Sequence, residues 1–208
     1  MLVSEILPPI LYRSAKSARK YFVKEKLSLF DGYSEMFREQ LRSCKVYGEY
    51  GVGSSTDWVY NNTNALILAA ETSKSWSDRV IEKKDPSRID IDLIDIGPVG
   101  EWGRPLDFSR REKFKDYCSA IWRHNLKPDV VLIDGRFRVS CFMTSVLNGE
   151  PGSKVIFDDY VNRAHYHVVE EILNIKERCG RQVLFEIPHK FDRDKANFLA
   201  QKFEYVID

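Results

Sequence analysis

The sequence predicts an α/β protein in which a mainly parallel sheet is covered by helices on both faces. Short β-rich runs alternate with helical stretches from residue 46 to the end of the chain, and no repeat, low-complexity tract or Pro/Gly-rich linker divides them. Length agrees: 208 residues with 43% hydrophobic side chains suffice for one self-supporting core, since a domain of roughly this size buries about 70% of the surface its unfolded chain exposes. The first 44 residues read as a helical extension and 45–208 as the domain proper. Between Tyr12 and Gln40, Tyr21, Phe22, Leu27, Phe30, Met36 and Phe37 recur at helical spacing with Asp31-Gly32 as a break, which predicts two helices. Runs at 46–50, 65–70, 89–94, 130–133, 155–157, 183–187 and 203–207 predict seven strands. Helices are expected over about 55–61, 75–84, 114–124, 139–147 and 163–179. The conspicuous loop is 97–105, rich in Gly and Pro, with Trp102 at its middle.

Charge narrows the function classes. Lys and Arg number 32 against 31 Asp and Glu, a net charge of +1, which excludes a surface that coats nucleic acid or anionic membrane by bulk charge. The basic stretch Arg13, Lys16, Arg19, Lys20, Lys24 and Lys26 reads as a solvated helix face. Cys44, Cys118, Cys141 and Cys179 lack the spacings of a zinc site or redox pair and predict reduced thiols. No apolar run approaches the roughly 20 residues of a membrane span, and residues 1–12 make a poor signal peptide. A cytoplasmic location is the expectation.

The first strand runs into Glu49-Tyr50-Gly51-Val52-Gly53-Ser54-Ser55-Thr56, a glycine-rich turn that opens a helix. Missing Cβ atoms let a ligand approach the backbone, and the helix start offers free N–H groups. Glu71-Thr72 follows at the end of the second strand, about 20 residues on, where a carboxylate would accept ribose hydroxyls. The order of strand, glycine turn, helix, strand and acid predicts a nucleoside cofactor. A dinucleotide fingerprint wants a third glycine where Thr56 stands, and Glu49 would repel a pyrophosphate while suiting an ammonium group. S-adenosylmethionine is therefore favoured over NAD, and an NAD-dependent oxidoreductase is the disfavoured reading.

On these residues the chain resembles the class I S-adenosylmethionine-dependent methyltransferases, over about 46–208. The resemblance implies a Rossmann-like doubly wound sheet in the order 3-2-1-4-5-7-6 with the last strand antiparallel, and an adenine held near Asp95-Ile96. The strings Ile96-Gly97-Pro98-Val99-Gly100-Glu101-Trp102-Gly103, Asp134-Gly135-Arg136-Phe137-Arg138-Val139 and Phe157-Asp158-Asp159-Tyr160 are similar to a small group of bacterial methyltransferase-like proteins. Cofactor contacts are expected from Glu49, Tyr50, Gly51, Gly53, Ser54, Ser55, Thr56, Glu71, Thr72, Asp95, Ile96 and Asp134.

Asp134 ends the fourth strand and Asp158-Asp159 the fifth, so three carboxylates should converge beside the transferred methyl group. Catechol O-methyltransferase carries Asp and Asp-Asn at these places around Mg²⁺, and by that similarity Asp134, Asp158 and Asp159 are candidate Mg²⁺ ligands. Phe137 stands where such enzymes have a lysine, flanked by Arg136 and Arg138. Arginine is too basic to accept a proton, so the other expectations are an Arg–Asp network with an Asp as base, or a purely structural pairing. Asp134, Asp158, Asp159 and Arg136 are the candidate catalytic residues, and Trp102, Arg138 and Tyr160 the candidate substrate contacts. The sequence thus predicts O-methylation of a small molecule such as a sugar, phenol or acidic metabolite. The alternative is a catalytically silent binding module of the same fold. Asp134-Gly135-Arg136-Phe137 lacks the Pro-Pro-aromatic motif of base N-methylating enzymes, which disfavours nucleic acid as the acceptor.

Overall fold

The computed structural model describes residues 29–207; the basic stretch from Arg13 to Lys26 lies outside them. Seven strands form one sheet in the order β3-β2-β1-β4-β5-β7-β6. They are β1 (Val46–Tyr50), β2 (Leu66–Glu71), β3 (Ile89–Leu93), β4 (Val130–Ile133), β5 (Lys154–Phe157), β6 (Glu177–Cys179) and β7 (Gln182–Glu186). β1 to β5 run parallel, and β7 is antiparallel to both β5 and β6. The expected order and the antiparallel last strand are both present.

Alternation along each central strand divides the core in two. Tyr50, Ile133, Phe157 and Phe185 face one side, against α4 (Phe114–Ser119), α5 (Arg138–Asn148) and α6 (Arg193–Phe203). Tyr47, Ile67, Leu132 and Ile156 face the other, against α1 (Glu35–Leu41), α2 (Ser54–Asn62) and α3 (Lys74–Ile81). Phe30, Met36, Phe37 and Leu41 are buried within this second layer, so the expected boundary at residue 44 cuts through a core. Among the described residues no helix is long and apolar enough to cross a membrane.

Two sequence expectations fail at the C-terminal end of the chain. The run 203–207 is not a strand: α6 ends at Phe203, and a turn follows. The stretch 163–179 is not one helix but a short 3₁₀ segment, Ala164–Glu171, followed by β6. Gly180, at φ +57°, turns the chain from β6 into β7. That hairpin closes the sheet edge with residues expected to be helical, leaving the terminal segment to pack as a helix on α5, where Ser140 Oγ donates to the Ala200 carbonyl at 3.0 Å.

Candidate active site

β1 has β2 on one side and β4 on the other, so the chain order reverses there, and at such a reversal the C-terminal strand ends leave a crevice. A cavity of about 840 Å³ occupies it. One end is walled by Gly51–Ser55, Glu71 and Thr72, with Trp102 on the rim. Gly51 holds φ +83°, and a Cβ there would meet Gly135 Cα at 2.9 Å, so this glycine lets the turns after β1 and β4 touch. Gly53 differs, since a Cβ on it would enter open space. Glu71 is 7% exposed and accepts backbone N–H bonds from Val52 at 3.0 Å and from Thr72 and Ser73 at 2.7 Å. Thr72 Oγ1 adds a longer contact at 3.4 Å, and the carboxylate lies on the cavity wall.

Glu49 is fully buried beneath the glycine turn. Ser55 Oγ donates to it, and Thr56 Oγ1 donates at 2.5 Å while accepting from Gly53 N–H at 2.9 Å. Burial pushes its carboxyl up to about 7, against the lowering effect of these hydroxyls.

At the other end Asp134, Asp158 and Asp159 bring carboxylate oxygens within 4.8 Å of one another. Each meets a guanidinium. Arg181 clamps Asp158, with Nε on Oδ1 at 3.1 Å and Nη2 on Oδ2 at 2.7 Å, and its Nη1 reaches Asp31 at 3.1 Å. Arg163 donates to Asp159 at 2.8 Å. Arg138 lies 3.2 Å from Asp134 Oδ1 and 3.6 Å from Asp159 Oδ2, and donates to the carbonyls of Gly135, Asp158 and Asp134. Burial first, then the charge of Asp158, pushes the Asp134 carboxyl up to about 8, against the opposing pull of Arg138.

No protein-family model and no curated protein matches the chain. Among solved structures it is similar to a methyltransferase-like protein from Silicibacter pomeroyi, with 29% identity, a TM-score of 0.72, and 82% of this chain and 93% of that chain covered. The sheet order and this likeness give the chain a methyltransferase-like fold. MycE methyltransferase from the mycinamycin biosynthetic pathway, solved with Mg and SAH, aligns at 14% identity and TM-score 0.48 over 84% of this chain and 48% of its own. A predicted O-methyltransferase from Agrobacterium tumefaciens aligns at 13% and 0.44, over 72% and 76%.

Within this fold, Gly51, Gly53, Ser54, Ser55, Glu71, Thr72, Trp102, Asp134, Arg136, Arg138 and Asp159 line the cavity, and the other expected site residues do not. Tyr50 is fully buried in the core, with its hydroxyl on the Cys118 carbonyl at 2.5 Å. Glu49 and Thr56 brace the turn from below. Asp95 stands off the wall, ion-paired with Arg110 and accepting from Gly97 N–H, while Ile96 is fully buried. Tyr160 is also fully buried, its hydroxyl on Glu170 at 2.9 Å and its ring stacked on His167, so it braces the chain after β5 and does not line this cavity. Arg138 turns its donors to three carbonyls and two carboxylates, a clamp rather than a substrate contact. Phe137, at φ +54°, points into the core against Phe114 at 4.6 Å.

The sequence reading missed Arg163, Arg181 and Tyr117, which also line the cavity, Tyr117 with its hydroxyl accepting from Arg136 N–H at 3.3 Å. Asp159 and Arg163 stand four apart, a spacing that could have signalled their pair. Arg181 carried no such signal, because its turn lay just past a stretch expected to be helical. The open wall at Gly53, the Glu71 carboxylate on the same wall and the cavity volume fit S-adenosylmethionine. A divalent cation does not fit: its candidate ligands already face guanidinium groups.

Proposed function

We propose that this protein transfers a methyl group from S-adenosylmethionine to a hydroxyl of a small molecule. The observation that carries this reading is one cavity whose wall joins the glycine turn and Glu71 to Asp134 and Asp159. The cofactor, when bound, supplies an electrophilic methyl group on a sulfonium. Gly53, Ser54 and Ser55 hold its amino-acid end, Glu71 takes a ribose hydroxyl, and Thr72 and Trp102 cover the nucleoside. Asp134 faces the acceptor and, with a carboxyl pushed up to about 8, takes its hydroxyl proton in the ionised form that predominates above that pH, as the methyl–oxygen bond forms. Arg138 holds Asp134 in place, and Arg136 and Trp102 contact the acceptor. Holding donor and acceptor in line accounts for roughly 7–11 kcal/mol of barrier reduction when alignment is good.

Titration calorimetry with S-adenosylhomocysteine tests the reading. Wild-type protein binds it, and Glu71→Ala weakens binding at least about tenfold, the loss of one buried charge-assisted hydrogen bond. No heat at millimolar ligand overturns the proposal. Methyl transfer to a panel of hydroxylated small molecules separates the enzyme from a silent module: Asp134→Asn keeps ligand binding and abolishes transfer in the enzyme alone.

A further inference from the structure

The three carboxylates after β4 and β5 have the composition of a divalent-cation centre, yet the geometry points to a cation already present in the chain. We propose that the Arg181 guanidinium permanently occupies the place a divalent ion takes in such a centre, so that Asp134, Asp158 and Asp159 bind no metal. This holds whether or not the methyltransferase reading does, because it rests on the ion pairs alone.

Three observations carry it. Asp158 is fully buried and both its oxygens are engaged by Arg181 in a fork. That parallel pairing of a planar guanidinium with a carboxylate is among the strongest and most oriented ion pairs a protein makes. Arg181 also comes within 3.3 Å of Asp159, so one side chain bridges two of the three acids. Charge is also largely compensated: Arg138, Arg163 and Arg181 stand against Asp134, Asp158 and Asp159, with Asp31 a fourth acid on Arg181, so little net negative charge is left to attract a hard dication.

The backbone delivers Arg181 rigidly. β5 and β7 pair antiparallel with Phe157 opposite Val183, which brings the residue just before β7 beside Asp158 and Asp159. Tyr160 N–H donates to the Arg181 carbonyl at 2.9 Å, fixing the main chain where the guanidinium is needed. Gly180 makes the approach at φ +57°, where a Cβ would strike the Tyr33 side chain at 2.6 Å. A dication would have to displace a side chain held by Asp31 as well as by Asp158, on a main chain fixed at the Arg181 carbonyl. The acceptor site is thus built for molecules held without metal chelation.

Mn²⁺ titration of the full-length protein, read by calorimetry and by water-proton relaxation, tests this directly. Wild-type protein shows no saturable binding at millimolar Mn²⁺, whereas Arg181→Gln exposes the acids and gains a site. Saturable micromolar binding to the wild type that Asp158→Asn abolishes overturns the proposal, and so does a folded Arg181→Gln that gains no site. A second readout needs no variant to fold: the Arg181 side-chain Nε–H signal in ¹⁵N spectra stays protected from exchange and unmoved by added Mg²⁺. A shift or loss of protection on adding Mg²⁺ contradicts it.

Discussion

Asp158 has no solvent and one guanidinium fork, so Arg181→Leu strands a charge in the interior. Urea denaturation should show a loss on the order of 3 kcal/mol, and adding Asp158→Asn should recover much of it. Glu49 behaves differently. Its folded carboxyl titrates at about 7 against an ordinary 4.5, so the folded state binds the proton more tightly than the unfolded chain. The stability this group contributes is present below about pH 4.5 and is lost as pH rises through 7. Glu49→Gln should flatten the decline of the denaturation midpoint across that window; an unchanged slope contradicts this account. The two glycines of the turn separate fold from ligand. Gly51→Ala forces a Cβ against Gly135 at positive φ and should lower the melting temperature, while Gly53→Leu should leave it nearly unchanged and block S-adenosylhomocysteine binding.

At the scale of elements, most of the sheet was legible and its last edge was not. β1, β2, β4, β5 and β7 announce themselves as largely apolar runs, because strands buried on both faces have no polar alternation to hide behind, and β3 shows itself as an Ile/Asp alternation at the sheet edge. β6 has three residues, two of them charged, and owes its existence to pairing with β7. The run 203–207 misled because Phe, Tyr, Val and Ile favour strands locally, yet the place beside β7 is taken by β6 and α6 packs on α5 instead. α6 begins at Asp192, whose side chain accepts from Lys195 N–H at 2.9 Å. Asp192→Ala should cost about 1 kcal/mol, measured by equilibrium unfolding.

Across the whole molecule, the sheet is a partition between two cores, and residues before β1 belong to one of them. Phe30, Met36, Phe37 and Leu41 are each at most 7% exposed. Burying four such side chains contributes roughly 6–12 kcal/mol, comparable with the entire stability of a domain at about 5–15 kcal/mol. A chain starting at residue 45 should therefore lose its near-ultraviolet circular dichroism and cooperative melt.

The sequence by itself determined the strand ends. Hydrophobic periodicity is local, and it told where each β-run stopped and therefore that Glu71, Asp134, Asp158 and Asp159 would meet at one edge of the sheet. Only the tertiary structure decided what those carboxylates face. Asp158 and Arg181 are 23 residues apart, and their contact depends on the antiparallel register of β5 and β7 and on a glycine turn between two short strands. Whether an acid cluster meets a metal or a guanidinium is a matter of long-range pairing, which no local pattern encodes.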